Sequence, residues 1–267
     1  GIIIGIVFLY PIFGTKGLFY GIVLGSFVHM VIQIPFIYKS GIFPHLKFKI
    51  EWKALLKVIS ISLPRTITLS ANQLASFFLI ALASLMKAGS ISVFSLALNL
   101  QSVPLSIIGV SYSSAIFPTL SKFFIEKNRK EFLEQMIDSA RHIVFWSIPI
   151  TVLFIVLRAQ IVRTIYGAGN FDWSDTRLTA AVLAIFVVSV VGQSLILLFV
   201  RAYYAEGKTK KPLLINVISG LIIVVFGYGL TKAFFAYPIF AYFLQDLLKI
   251  TGQTGASVLV LPLAYSI

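Results

Sequence analysis

Apolar stretches about as long as a helix needs to cross a bilayer (roughly 20 residues) alternate along the chain with short polar breaks. The pattern predicts the tail of one span over 2–13, closed by Gly14-Thr15-Lys16-Gly17. A second span is expected over Leu18–Tyr38, where Gly17, Gly21 and Gly25 recur every four residues and make one smooth face for close helix packing. A third should run over Leu63–Met86 and turn at Lys87-Ala88-Gly89-Ser90. A fourth covers Ile91–Phe117, with a kink expected at Pro104 and an end at Pro118. Further spans are expected over His142–Leu157, over Leu178–Val200 and from Pro212 to near Phe235. An eighth begins near Val258 after a longer loop.

Between the spans the pattern changes. Over 39–62, Lys39, Lys47, Lys49, Lys53 and Lys57 alternate with Phe, Ile, Trp and Leu. Trp52, Leu55, Leu56 and Ile59 fit one helical stripe, so 51–61 reads as an amphipathic helix lying on the membrane surface. Residues 119–141 are polar and amphipathic, and Arg158–Arg177 and Arg201–Lys211 are further connections. Gly1 lies inside an apolar stretch with neither an initiator methionine nor a basic leader, and 258–267 read as an interrupted span, so the chain is expected to be a fragment.

Composition agrees with this class: 58% of residues are hydrophobic, 12% are charged, and the mean hydropathy is +0.97. The net charge of +13 would point a soluble protein towards nucleic acid. Its distribution gives another explanation. The loops at 39–57, 119–141 and 201–211 carry 14 Lys and Arg, the alternate loops carry 7, and Arg65 alone lies within a span. The first set of loops is therefore expected to be cytoplasmic, and no nucleic-acid partner is implied.

Candidate chemistry is sparse. There are no cysteines, and His29, His45 and His142 lack metal-ligand spacing. All nine acids fall outside the expected spans, which leaves no paired carboxylates for catalysis within the membrane and no intramembrane carboxylate relay. Gly167-x-Gly169 is too short a pattern for a phosphate cradle. No enzyme, cofactor or metal is expected. Polarity is instead arranged by helical phase. Arg65, Asn72 and Ser76 share one stripe of the third span, with Gln73 beside it. Ser92, Ser95, Asn99, Ser102, Ser106 and Ser113 share one side of the fourth, with Gln101 pointing the opposite way. Two readings stay open: the serines bond neighbouring helices together, or both polar sides face a shared cavity. For Arg65 the alternatives are snorkelling or structural pairing, and anion binding, since a guanidinium grips a diphosphate bidentately.

An ordered series of motifs carries a family resemblance. It begins with Gly17-x3-Gly21-x3-Gly25 leading to Gln33-x-Pro35, then Leu63-Pro64 with Gln73, and Ala83-Ser84-x4-Gly89-Ser90. It continues with Asn99-Leu100-x2-Val103-Pro104-Leu105-x3-Gly109-Val110 and Phe117-Pro118-x-Leu120-Ser121. It closes with Tyr166-Gly167-x-Gly169-x-Phe171, Asp175-Thr176, and Arg201-Ala202-x-Tyr204-Ala205 running to Lys211-Pro212. The series covers nearly the whole chain and resembles the MviN/MurJ family of lipid II flippases, within the multidrug/oligosaccharidyl-lipid/polysaccharide exporter superfamily.

The resemblance implies an all-α, polytopic transmembrane bundle that is part of a two-lobe, V-shaped exporter fold. Residues 1–38 would be the last spans of the N-terminal lobe, 39–62 a cytoplasmic amphipathic linker, and 63–267 a truncated C-terminal lobe. The implied activity is movement of undecaprenyl-diphosphate-linked peptidoglycan precursor across the bacterial cytoplasmic membrane, by alternating access of a cationic cavity. Partners would be that precursor and membrane lipids, and the implied substrate-facing residues are Arg65, Asn72, Gln73, Ser76, Ser95, Asn99, Ser102 and Ser106. One departure matters: Asn99 stands where the family usually carries a cavity arginine, and Arg65 stands on the preceding helix where a small apolar residue is common. The charge is expected to have moved to the adjacent wall. Competing readings are a polysaccharide or lipid-linked oligosaccharide exporter, a non-transporting scaffold derived from a flippase, and a membrane glycosyltransferase using Asp172, Asp175 or Asp246.

Overall fold

The computed structural model describes residues 2–41, 52–169 and 171–266, apart from the side chains at positions 54, 57, 61, 64, 65, 68, 69, 71 and 72. Every regular element among them is a helix, the form in which a segment pairs its own backbone groups within hydrocarbon. The chain forms two compact units, residues 1–55 and 56–267.

In the first unit, α1 (Ile2–Phe13) includes a π-helical segment at Gly5–Leu9 and turns through Gly14 into α2 (Thr15–Lys39). Glycine sets the closeness of this hairpin. A Cβ at Gly5 would lie 2.9 Å from the Cα of Gly21, and one at Gly17 would overlap the Leu9 carbonyl. Gly17 and Gly21 are buried as the sequence predicts, while Gly25, level with the start of α1, is half-buried. The rest of α2 presents large apolar side chains outward, including Phe19, Phe27 and Phe36. An apolar exterior is the arrangement a lipid solvent favours.

The second unit holds α3 (Trp52–Ser84), which begins just before the boundary, then α4 (Ser90–Ile125), α5 (Arg129–Val156), α6 (Arg158–Tyr166) and α7 (Trp173–Val188). These are followed by α8 (Val190–Ala205), α9 (Lys210–Ala236), α10 (Pro238–Leu247) and α11 (Ala256–Ser266). By length and composition α2, α4, α5 and α9 are each long and apolar enough to cross a membrane, and the bent pair α7–α8 meets the same criterion when its two helices are taken together. On α9, Leu214, Ile218, Leu221 and Val225 form an exposed apolar stripe. The smaller Asn216, Gly220 and Gly227 turn inward.

Several sequence expectations are revised. The expected surface helix and third span are one element: α3 runs continuously from Trp52 to Ser84 and takes Pro64 within it. The remainder of the expected linker, 42–51, lies outside the described residues. The polar stretch 119–141 is not an extended loop. Helix α4 continues to Ile125, α5 starts at Arg129, and a tight turn joins them, with Lys127 at φ 55° and the Asn128 side chain accepting from the Glu131 N–H. Pro104 is absorbed by a π-helical segment at Leu105–Val110, because a ring without an N–H leaves the preceding carbonyls to be re-paired. Within the expected loop before the last span, 238–247 is helical.

Two apolar clusters hold the second unit. The larger joins Leu79, Phe94, Leu183, Phe186, Leu259 and Leu261. The smaller joins Ile108, Leu120, Ile143 and Leu198. Helix α7 is the pillar of the first, with ten of its sixteen residues buried. It is capped by a reciprocal pair: the Asp175 N–H donates to Asp172 Oδ1 at 2.8 Å and the Asp172 N–H to Asp175 Oδ2 at 3.2 Å. These two acids, the outer-side candidates for a glycosyltransferase, are thus engaged in starting a helix. The same side is tied together by Gln253 Nε2, which donates to the Ser174 carbonyl at 2.9 Å, and by Lys87 bonded to Thr254. Tyr166 Oη donates to the Leu96 carbonyl at 3.3 Å, and burial raises its phenol above the usual value of 10, so it remains a donor.

Candidate functional site

Helix α4 has two sides. Val93, Ala97, Leu100 and Pro104, at intervals of three and four, are buried. The interleaved set Ser95, Asn99, Ser102 and Ser106 points the other way: Ser95 is half-buried and the other three are exposed, with Ser92. Only Ser113, beyond the π segment, turns into the core. The structure therefore brings four of the expected site residues onto one open face. Among the described residues, the side chains of Asn99, Ser102 and Ser106 make no hydrogen bond to another helix. The Ser102 hydroxyl donates back to the Asn99 carbonyl at 2.6 Å, which leaves the Asn99 amide at the surface.

On α3, Gln73 is exposed and Ser76 half-buried. Arg65 and Asn72 belong to the same helix, but their side chains lie outside the described residues. The opposition of this stripe to that of α4 is therefore an expectation from helical phase.

A second polar constellation, absent from the sequence expectations, sits on the buried side. The single span expected over 178–200 is broken at Ser189, where α7 and α8 meet at 42°. A break leaves carbonyls without their usual intrahelical partners, and hydroxyls gather around them here. Ser189 Oγ donates to the Phe186 carbonyl at 2.7 Å and Thr151 Oγ1 to Val187 at 3.4 Å, while Ser266 Oγ donates to the Pro262 carbonyl of its own helix at 2.7 Å and stands 3.4 Å from the Ile185 carbonyl. Two glutamines then donate to the Ser189 oxygen: Gln101 Nε2 from α4 at 3.2 Å and Gln193 Nε2 from α8 at 2.7 Å. Gln101 is buried, and its off-stripe phase in an apolar span was the one sequence signal for this site.

Just below, a Cβ at Gly109 would lie 2.8 Å from Ser194 Oγ and 3.0 Å from Ser194 Cα. Gln101–Ser189 thus ties α4 to the break, and Gly109, within the π segment, packs against Ser194 of α8. Replacing Gln101 with leucine should lower stability by about 1 kcal/mol, the scale of a polar contact within a membrane bundle. Ser102→Ala on the open face should have no effect. Thermal unfolding of the detergent-solubilised protein checks this; equal midpoints for Gln101→Leu and the parent would mean the network does not hold the bend.

The ion-paired charges are on α4, α5 and the turn after α8. The ion pairs among the described residues are Lys122–Glu126 and Lys130–Glu134 at 3.9 Å, Asp138–Arg141 at 3.2 Å, and Glu206–Lys208 at 2.6 Å. Three of the four lie at or beside the 126–128 and 206–209 turns, and Asp138–Arg141 lies about three turns into α5; this is the side that the excess of Lys and Arg leads one to expect as cytoplasmic. Such surface pairs contribute little stability.

Comparison with known proteins gives a consistent result. The family model described as "Lipid II flippase MurJ" matches residues 1–245. A relative from Vibrio cholerae serotype O1, described as "Probable lipid II flippase MurJ", is 26% identical over 203 residues, covering 76% of this chain and 39% of its own length. A relative of the same description from Borreliella burgdorferi is 26% identical over 257 residues, covering 90% of this chain and 48% of its own. The chain thus spans two-fifths to half the length of these relatives. Among solved structures, one of lipid II flippase MurJ in an inward closed conformation superposes with a TM-score of 0.70 at 23% identity, covering 99% of this chain and 50% of that one. This last likeness establishes the fold.

Proposed function

Since the chain belongs to the lipid II flippase MurJ family, we propose that this protein moves lipid-linked peptidoglycan precursor across the bacterial cytoplasmic membrane, as a transporter with no catalytic centre. The family match across residues 1–245 carries the reading. The finer substrate is the undecaprenyl-diphosphate-linked form, whose diphosphate asks for a cationic surface and whose chain asks for lipid. Residues 1–38 supply the last spans of an N-terminal lobe, 39–62 a cytoplasmic linker, and 63–267 a C-terminal lobe. Rocking of the lobes exposes the cavity alternately to each side.

In this reading the open face of α4, with Ser95, Asn99, Ser102 and Ser106, and the stripe of α3, with Arg65, Asn72, Gln73 and Ser76, line the path of the headgroup. The supporting observation is that Asn99, Ser102 and Ser106 are exposed, and Ser95 half-buried, on a helix whose other side is core. Hydroxyls and an amide there offer exchangeable hydrogen bonds to a polar headgroup without holding it tightly.

Rescue of a strain depleted of its own flippase tests the reading. Full-length protein containing this chain should restore growth and rod shape, and a paired carboxamide-to-alanine variant, Gln73→Ala with Asn99→Ala, should restore them less well. Failure of the expressed, membrane-inserted parent to rescue would favour a scaffold or another lipid-linked saccharide as cargo.

A further inference from the structure

An apolar groove of about 370 Å³ opens between α5, α8 and α9 at the cytoplasmic end of the second unit. Phe132 is its buried floor, and Leu133, Ile196, Phe199 and Ile215 are exposed along its walls. Its size falls in the range of small-ligand sites (about 300–1,000 Å³). At Ile215 it meets a second recess of about 390 Å³, framed by Lys210, Lys211 and Leu214.

The charges around the junction are unequal. Glu206, the one acid lining the groove, is engaged by Lys208 at 2.6 Å. Lys210 and Lys211 are both exposed, and among the described residues neither pairs with a carboxylate. Lys211 Nζ stands 5.8 Å from the centre of the Tyr203 ring, which directs it towards the groove mouth. An apolar slot thus leads to two exposed ammonium groups at the N-terminal end of α9.

We propose that this is a binding site for one anionic phospholipid of the cytoplasmic leaflet. One acyl chain lies in the groove over Phe132, and the phosphate rests on Lys210 and Lys211. The complementarity is that of an amphiphile: apolar along the length of the groove, cationic at the cytoplasmic end. A zwitterionic lipid fills the slot equally well and gains less at the lysines. The site lies on other helices than the α3 and α4 faces assigned to the headgroup path, so it stands independently of the proposed transport.

The test uses full-length purified protein and a photoreactive phosphatidylglycerol with the reactive group on an acyl chain. Labelled peptides should map to α5, α8 and α9. Unlabelled phosphatidylglycerol should compete roughly tenfold better than phosphatidylcholine, as two lysines near an anionic headgroup imply. Lys210→Gln with Lys211→Gln should abolish that preference while leaving chain labelling in the groove. Equal competition by the two lipids would overturn the proposal. So would labelling confined to other helices, including labelling lost because a second copy or another segment of the full-length protein covers the groove. Displacement by the transported diphosphate lipid, and not by phosphatidylglycerol, would also overturn it.

Discussion

Gly109→Ala is expected to destabilise the second unit by about 1–3 kcal/mol, and Gly109→Leu by more, despite the small size of the first change. The added Cβ would stand 2.8 Å from Ser194 Oγ, 3.0 Å from its Cα and 3.1 Å from its Cβ. The nearest of these atoms is a side chain that can be shortened, while the Cα belongs to the backbone of α8 and cannot yield without moving the helix. Ser194→Ala should therefore be nearly neutral, since its buried hydroxyl has no hydrogen-bond partner among the described residues. Ser194→Gly in the Gly109→Ala background should recover part of the loss. Thermal unfolding in detergent measures all four variants, and a Gly109→Ala midpoint equal to the parent would show that α4 and α8 do not approach so closely.

The second large effect is functional. Arg65→Ala should reduce transport at least tenfold with unchanged membrane abundance, and Arg65→Lys should fall between the two. A lone arginine within a span costs roughly 2.5–3.5 kcal/mol even on lenient scales, which is a high cost for a residue with no role. Lysine keeps the charge but loses the planar fork that grips a diphosphate through two oxygens. Asn99→Arg in the Arg65→Ala background should restore activity if the two positions serve the same headgroup from adjacent walls. Flippase activity in membranes checks the series. Undiminished activity of Arg65→Ala at parental abundance would return Arg65 to snorkelling.

The spans were legible because bilayer thickness imposes a length that no soluble helix needs, and because Lys and Arg mark one set of loops. The close hairpin of α1 and α2 was legible in the spacing of Gly17 and Gly21. The bend at Ser189 was not. Neither glycine nor proline stands at that position, and the side chains bonded there are tertiary partners: Thr151 and Gln101 reach it from other parts of the chain. The 126–128 hairpin was hidden for a different reason. Its flanks are charged, and charge in a membrane protein reads as loop, yet Lys, Glu and Arg are good helix formers where water reaches them.

For the site, phase along α4 was enough to separate an open polar side from a core side, and the structure agrees at Asn99, Ser102 and Ser106. Phase is a local property and carries no information about what a face meets. Gln101 illustrates this: its off-stripe position was visible in the sequence, while its partner, Ser189, lies 88 residues away.

Translocation itself tests the central claim most directly. Full-length protein containing this chain, reconstituted in vesicles with undecaprenyl-diphosphate-linked precursor confined to one leaflet, should bring the precursor within reach of a membrane-impermeant reagent on the opposite side. The account predicts transfer well above that of protein-free vesicles, and its loss with Arg65→Ala. Transfer no faster than in protein-free vesicles, from correctly inserted and folded protein, would contradict it.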